Sequence, residues 1–221
     1  MAVALIVAAG RGERLGSDRP KALVTLCGRP MLEWSVRAVA AVEAVKRIVI
    51  ALPADELSAA PEGTIAVAGG DQRSQSVLSA LHASEDGDPV IVHDAARPLA
   101  TPRLFEQTLS ELERQDVDAV IAAAPVSDTI KEVSADGRTV ARTLDRTLLW
   151  AVQTPQVFRR VALERALAAP EQELARATDD AWLVERCGGV VAVVGAESMN
   201  LKITTREDLR IAEFLLSERP G

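Results

Sequence analysis

Five short, largely apolar runs that alternate with stretches of helical spacing constrain this chain more than any other feature. The runs are Val3 to Ala9, Arg47 to Leu52, Thr64 to Ala68, Pro89 to His93 and Val117 to Ala124. Each has strand length and little polar alternation, the pattern of a strand buried on both faces. Between them, Met31, Leu32, Trp34, Ser35, Ala38, Val39 and Val42 recur at near-helical spacing behind Pro30. A helix is predicted from about Arg73 to Ser84, and another to about Arg114, with Thr101 as N-cap and Pro102 in its first turn. Repeated strand–helix alternation predicts an α/β fold with a mostly parallel, twisted sheet and helices on both faces. In such sheets a ligand lies outside the carboxyl ends of the strands. That rule gathers three polar loops, Ala9 to Lys21, Gly69 to Ser76 and Asp94 to Arg97, around one crevice.

The first loop carries the chemistry. Gly10 and Gly12 stand at alternate positions after the opening strand, followed closely by Arg11, Arg14, Arg19 and Lys21. Glycines let successive N–H groups aim at one anion, and guanidinium and ammonium groups supply countercharge for phosphates. A P-loop is excluded, because no G-x-x-x-x-G-K-[ST] string occurs. A dinucleotide fingerprint is excluded too: Leu15 stands where the third glycine belongs and Gly16 comes one residue late. Pro20 holds Arg19 extended, so no helix starts there and the loop wraps its ligand. Read on its own, the stretch is also compatible with a glycine turn bearing solvated charges.

A chain of 221 residues fits one α/β domain with a sizeable core. Aromatic residues make up only 3%, so the core has to be aliphatic. The formal charge of −7 argues against nucleic-acid binding through a general basic surface, and makes the cations of the loop a local feature. Cys27 and Cys187 have no zinc or redox spacing and suit a reducing compartment. The N-terminal apolar run is too short to span a membrane and lacks a basic leader, so a cytoplasmic protein without membrane partners is expected.

Asp128 to Arg142 breaks the alternation. Two short β-like runs flank Asp136-Gly137, a hairpin signal, and Lys131, Glu132, Arg138 and Arg142 charge its faces. An edge meander and a dimerisation arm, at about 126–148, both fit the pattern. Trp150 to Phe158 follows, then helices near Arg160 to Ala168 and Asp179 to Cys187, a strand from Val190 to Val194, and a last helix opened by Thr205 and Asp208 as a capping box. No linker or repeat interrupts 1–221, which reads as one domain.

The segments AAGRGERLGSDRPK (Ala8 to Lys21), GGDQRSQSV (Gly69 to Val77), HDAARP (His93 to Pro98), SDTIK (Ser127 to Lys131), TLDR (Thr143 to Arg146), QTPQ (Gln153 to Gln156), TDD (Thr178 to Asp180) and NLKITT (Asn200 to Thr205) together resemble the 2-C-methyl-D-erythritol 4-phosphate cytidylyltransferases. The likeness covers essentially the whole chain. Val7 departs from it, standing where many members carry proline. The resemblance implies a single Rossmann-like nucleotidyltransferase domain that joins CTP to a polyol phosphate in the non-mevalonate isoprenoid pathway, releasing pyrophosphate, with Mg2+ carried on CTP. By the same likeness Arg14 and Lys21 stabilise the transition state, and Arg146 and Lys202 position the acceptor. Ala8, Ala9, Gly10, Gly12, Gly70, Asp71 and Ser76 receive the cytidine. Asp94 and Ala95 lie at the crevice, and Thr129 and Thr154 contact the polyol phosphate. The hairpin reaches into the partner's site in a homodimer.

The residues themselves leave simpler readings beside these. Lys202, between Leu201 and Ile203, is either an inward cation or an edge charge that blunts aggregation. Arg146 could form a surface ion pair with little effect. Ser76 could be an ordinary helix residue. Asp94, ending a buried strand, needs compensation, from polyol hydroxyls, magnesium or a helix cap; His93 reads as a buried, hydrogen-bonded imidazole. Ribitol 5-phosphate cytidylyltransferase shares much of the pattern, a sugar-1-phosphate nucleotidyltransferase is a more distant alternative, and a non-catalytic nucleotide-binding regulatory module is one of another class.

Overall fold

The structure, a computed structural model, describes residues 1–12, 15–17 and 19–218. Arg14 therefore lies outside the described residues. Seven strands form the central sheet: β1 (Ala2–Val7), β4 (Val45–Leu52), β5 (Ile65–Ala68), β6 (Val90–Asp94), β7 (Ala119–Pro125), β10 (Trp150–Phe158) and β11 (Val191–Gly195). Their order is β11-β7-β10-β6-β1-β4-β5. All neighbours are parallel except β10, which runs antiparallel to both β6 and β7. The chain steps from β1 outward through β4 to β5, then returns to the other side of β1 as β6. That reversal opens a crevice beyond the strand ends.

Residue alternation assigns the strands to two cores. Ile6, Ile50 and Ile91 face α1 (Met31–Ala40) and α3 (Pro102–Arg114), where Val39, Phe105 and Leu112 are fully buried. Leu5, Val49 and Val92 face the other way, against α2 (Arg73–His82), α4 (Arg160–Leu167) and α6 (Asp180–Arg186). Short α5 (Glu171–Leu174) closes that side through Leu174. A fully buried Leu or Ile contributes about 1.5–3 kcal/mol, and Ile6→Ala would cost about 2–5 kcal/mol because the packed sheet cannot collapse around the gap.

A third cluster matters for the site. Leu15 of the glycine loop packs with Leu26, Met31, Leu99, Ile203 and two residues of α7 (Arg206–Ser217), Ala212 and Leu216. The α7 capping box forms as the sequence predicts: Asp208 N–H donates to Thr205 Oγ1, and Thr205 N–H donates to Asp208 Oδ2. Thr101 does occupy the N-cap of α3, yet its side chain makes no capping hydrogen bond. The fifth run begins as a strand at Ala119, not Val117, and the Asp118 carboxylate before it accepts the Val190 N–H ahead of β11.

Two small hairpins stand outside the main sheet. β2 (Thr25–Leu26) pairs with β3 (Arg29–Pro30), and β8 (Lys131–Val133) pairs antiparallel with β9 (Val140–Thr143). The second is the arm. Gly137 turns it at φ +70°, a left-handed conformation that favours glycine. Apart from half-buried Ser134, residues 131–143 are all exposed. Among the described residues no helix is long and apolar enough to cross a membrane.

Candidate active site

The three predicted loops meet in one crevice of about 810 Å3, a size suited to a nucleotide. Ala8, Ala9, Gly10 and Lys21 line it from the end of β1. Gly70, Asp71 and Ser76 face them from the β5–α2 connection, and Asp94 and Ala95 form its floor. Lys202 closes one end from the segment before α7. Two glycines make this approach possible. A Cβ at Gly69 would lie 2.3 Å from the Ala9 Cβ and 2.8 Å from Ser76 Oγ; at Gly12, with φ +71°, it would lie 2.5 Å from the Lys21 Cβ. Gly12 thus lets the loop fold against Lys21 and is not itself in the crevice wall. Ser76 Oγ accepts the Gly70 N–H at 3.2 Å, fixing the loop that precedes α2.

Asp94 is the electrostatic centre. It is 6% exposed, and both of its oxygens accept from cations: Oδ1 from Arg73 Nε at 3.1 Å and Oδ2 from Lys202 Nζ at 2.7 Å. Burial opposes its ionisation, but Arg73 and then Lys202 outweigh burial and hold the carboxyl far below the usual range. The compensation expected from polyol hydroxyls or magnesium is thus supplied by the protein itself. Arg73 also donates from Nη1 to Asp180 Oδ2 at 2.5 Å. Burial pushes the Asp180 carboxyl up, with Arg73 opposing it.

The base of the crevice is equally specified. Asp94 N–H donates to Thr154 Oγ1 at 3.1 Å, and that hydroxyl lies 2.9 Å from His93 Nδ1. His93 is fully buried, edge-on to Phe105 at 5.0 Å between centroids, and burial drives its pKa down to about 4. The ring is therefore neutral at pH 7, and its Nδ1 is engaged by the Thr154 hydroxyl. Asn200 donates to Gln153 Oε1 at 2.8 Å and to the Thr154 carbonyl at 3.0 Å, while Arg97 donates to the Asn200 carbonyl at 2.7 Å. Ile203 N–H donates to the Ala96 carbonyl at 2.8 Å. These bonds on either side of Lys202 hold its segment against the end of β6.

A sequence-family model described as IspD, 2-C-methyl-D-erythritol 4-phosphate cytidylyltransferase, matches residues 2–218. The chain belongs to this family. Its cytidylyltransferase relatives include one from Synechocystis sp., 43% identical over 97% of this chain and 96% of that protein. Another, from Nocardia farcinica, is 44% identical over 98% of this chain and 94% of its own length. Among solved structures, the cytidylyltransferase of Thermus thermophilus superposes with a TM-score of 0.82 at 33% identity, covering 98% of this chain and all of that one. The 4-diphosphocytidyl-2C-methyl-D-erythritol synthase of Anaerococcus prevotii gives 0.83 at 30% identity, covering 99% of each. The fold is that of the IspD cytidylyltransferases, and the chemistry is CTP-dependent nucleotidyl transfer.

Besides Gly12, three described residues expected at the IspD site do not line the crevice of their own chain. Thr129 and Arg146 lie on the exposed arm, where Arg146 Nη1 donates to the Ser127 carbonyl. Thr154 is buried beneath Asp94, its hydroxyl already engaged by Asp94 and His93. Arg73 and Asp180 received no role from sequence. Arg73 is the first residue of α2, where the helix dipole disfavours a cation, so its placement there signals a nearby carboxylate.

Proposed function

We propose that this crevice joins CTP to 2-C-methyl-D-erythritol 4-phosphate, forming 4-diphosphocytidyl-2-C-methyl-D-erythritol and pyrophosphate, and that the chain works as a cytoplasmic homodimer. A phosphate oxygen of the acceptor attacks the α-phosphorus of CTP. A new P–O bond forms as the α–β bridge breaks, and pyrophosphate leaves in line. The acceptor's second pKa is about 6, so its phosphate is largely ionised at neutral pH and no general base is required. The barrier is the meeting of two polyanions, which fixed cations lower by stabilising charge as it develops.

Lys21, with Arg14 from the same loop, serves the triphosphate, while Lys202 takes the acceptor phosphate and Asp94 its polyol hydroxyls. Ala8, Ala9, Gly10, Gly70, Asp71 and Ser76 bring main-chain groups and short side chains to the cytosine. Among the described residues no cluster of three His, Cys, Asp or Glu forms a metal cage. Both Asp94 oxygens are occupied by cations, so the donor set suits a magnesium ion carried in on the triphosphate. Mg2+ there would neutralise phosphate charge. Thr129 and Arg146 complete the partner's acceptor site. Leu148, 77% exposed, with Val133 and Val140, gives the arm an apolar surface for that contact.

The observation that carries this reading is the placement of Lys21 and Lys202 around one crevice of a chain whose net charge is −7. Pyrophosphate release with CTP and Mg2+ tests it, with methylerythritol phosphate, ribitol 5-phosphate and no acceptor as separate arms. Turnover with the first alone is expected. Turnover confined to ribitol phosphate would reassign the acceptor, and none with either would leave a binding module.

A further inference from the structure

Arg73 is set apart from the other cations of the crevice. Its guanidinium bridges two carboxylates from distant elements, Asp94 at the end of β6 and Asp180 at the start of α6. Both carboxylates are buried, at 6% and 1% exposure. A planar fork can hold two such partners at once; a lysine ammonium, a point charge on a flexible stem, fixes neither direction. Among the described residues Lys202 has no second carboxylate partner. Its side chain is 42% exposed and leans on Asp94.

That asymmetry has an electrostatic meaning. An unshared Asp94 carboxylate would compete with an arriving phosphate for the Lys202 ammonium. Arg73 occupies the other Asp94 oxygen and weakens that competition. Asp180 in turn gives Arg73 a second, buried attachment, so that an incoming phosphate does not draw the guanidinium out into the crevice. We propose that Arg73, braced by Asp180, is a positioning residue for the acceptor: it fixes Asp94 and leaves Lys202 free to exchange a carboxylate for the acceptor phosphate. Arg73 thus acts through Asp94 and Lys202, on the opposite side of the reaction from Lys21. This rests on the cytidylyl-transfer reading of the crevice.

The test is steady-state kinetics of the full-length chain with each substrate varied in turn, for Arg73→Gln, Arg73→Lys and Asp180→Asn, with thermal melting of each variant. Loss of one hydrogen bond to a charged group corresponds to about 10- to 100-fold. Arg73→Gln is expected to raise the KM for methylerythritol phosphate by about that factor, with the KM for CTP changed by no more than about twofold. Arg73→Lys should recover part of the loss, since it keeps the charge but cannot bridge both carboxylates. Asp180→Asn should fall between wild type and Arg73→Gln. Equal changes in both KM values, or an Arg73→Lys variant as impaired as Arg73→Gln, would overturn the proposal. Should Arg73→Gln fail to fold, Asp180→Asn decides: an unchanged acceptor KM there makes the bridge merely structural. A silent wild-type enzyme sinks the reading of the crevice and this proposal with it, whereas an active wild type with indifferent variants sinks the proposal alone.

Discussion

The Lys202 ammonium stands 2.7 Å from the Asp94 carboxylate, a contact that spans 108 positions of sequence. It brings two segments distant in sequence, the close of β6 and the approach to α7, to one point of the crevice. Removing either partner alters the charge that meets the acceptor. Lys202→Ala should raise the KM for methylerythritol phosphate by at least about tenfold and leave the KM for CTP little changed, as steady-state kinetics would show.

Lys21 should behave differently. Its ammonium is assigned to charge that builds at the α-phosphate, so its loss acts on the transition state more than on bound CTP. Lys21→Ala is expected to lower kcat by about 10²- to 10³-fold with a much smaller change in the KM for CTP. A defect confined to KM would contradict that role.

The arm makes a prediction about mixed subunits. If Arg146 serves the neighbouring site, Arg146→Ala and Lys202→Ala lie in different halves of each composite site. Each variant alone should be nearly inactive at acceptor concentrations well below its raised KM. After denaturation and random re-pairing of equal amounts, one site in each mixed dimer is intact, so about a quarter of the wild-type rate should return. No recovery would place Arg146 in the site of its own chain.

Buried His93 predicts a pH dependence of stability. Its folded pKa is about 4 against 6.5 for an ordinary histidine, so the unfolded chain binds the proton first as pH falls. The stability due to its neutral form is complete above pH 6.5 and is lost on descent toward pH 4. Relative to His93→Gln, wild type should lose about 2 kcal/mol between pH 7 and pH 5, measured by denaturant unfolding. Parallel curves for the two proteins would rule this out.

Gly69→Ala tests the tightest approach between the crevice walls. The added methyl would meet Ala9 and Ser76 well inside contact distance. Overpacking of this kind costs about 1–3 kcal/mol, and it should also raise the KM for CTP by moving the Gly70–Ser76 loop. A variant with wild-type melting temperature and CTP kinetics would show that the walls yield there.

Much of this was legible in the sequence because the signals were local. The continuous apolar runs gave the parallel strands, and glycine-rich and Asp94-bearing loops at their carboxyl ends located the crevice. The antiparallel direction of β10 was not legible, since Trp150 to Phe158 carries no mark of which neighbours it pairs with. Nor was the Arg73–Asp180 bridge: its partners are 107 residues apart, and only the cation at a helix start hinted at it. The burial of Thr154 under Asp94 likewise depends on β10 lying beside β6. Charge compensation at Asp94 was foreseen as a need, but its source lay in contacts between distant segments.

The closeness of Ala9 and Gly69 has a practical corollary for anyone seeking to redirect this catalyst toward another nucleobase. With no volume to spare between those two backbones, enlarging side chains there would pry the scaffold open instead of reshaping selectivity. Productive libraries should leave positions 9 and 69 fixed and diversify the mouth of the cleft, where Asp55 and Asp71 already border open solvent.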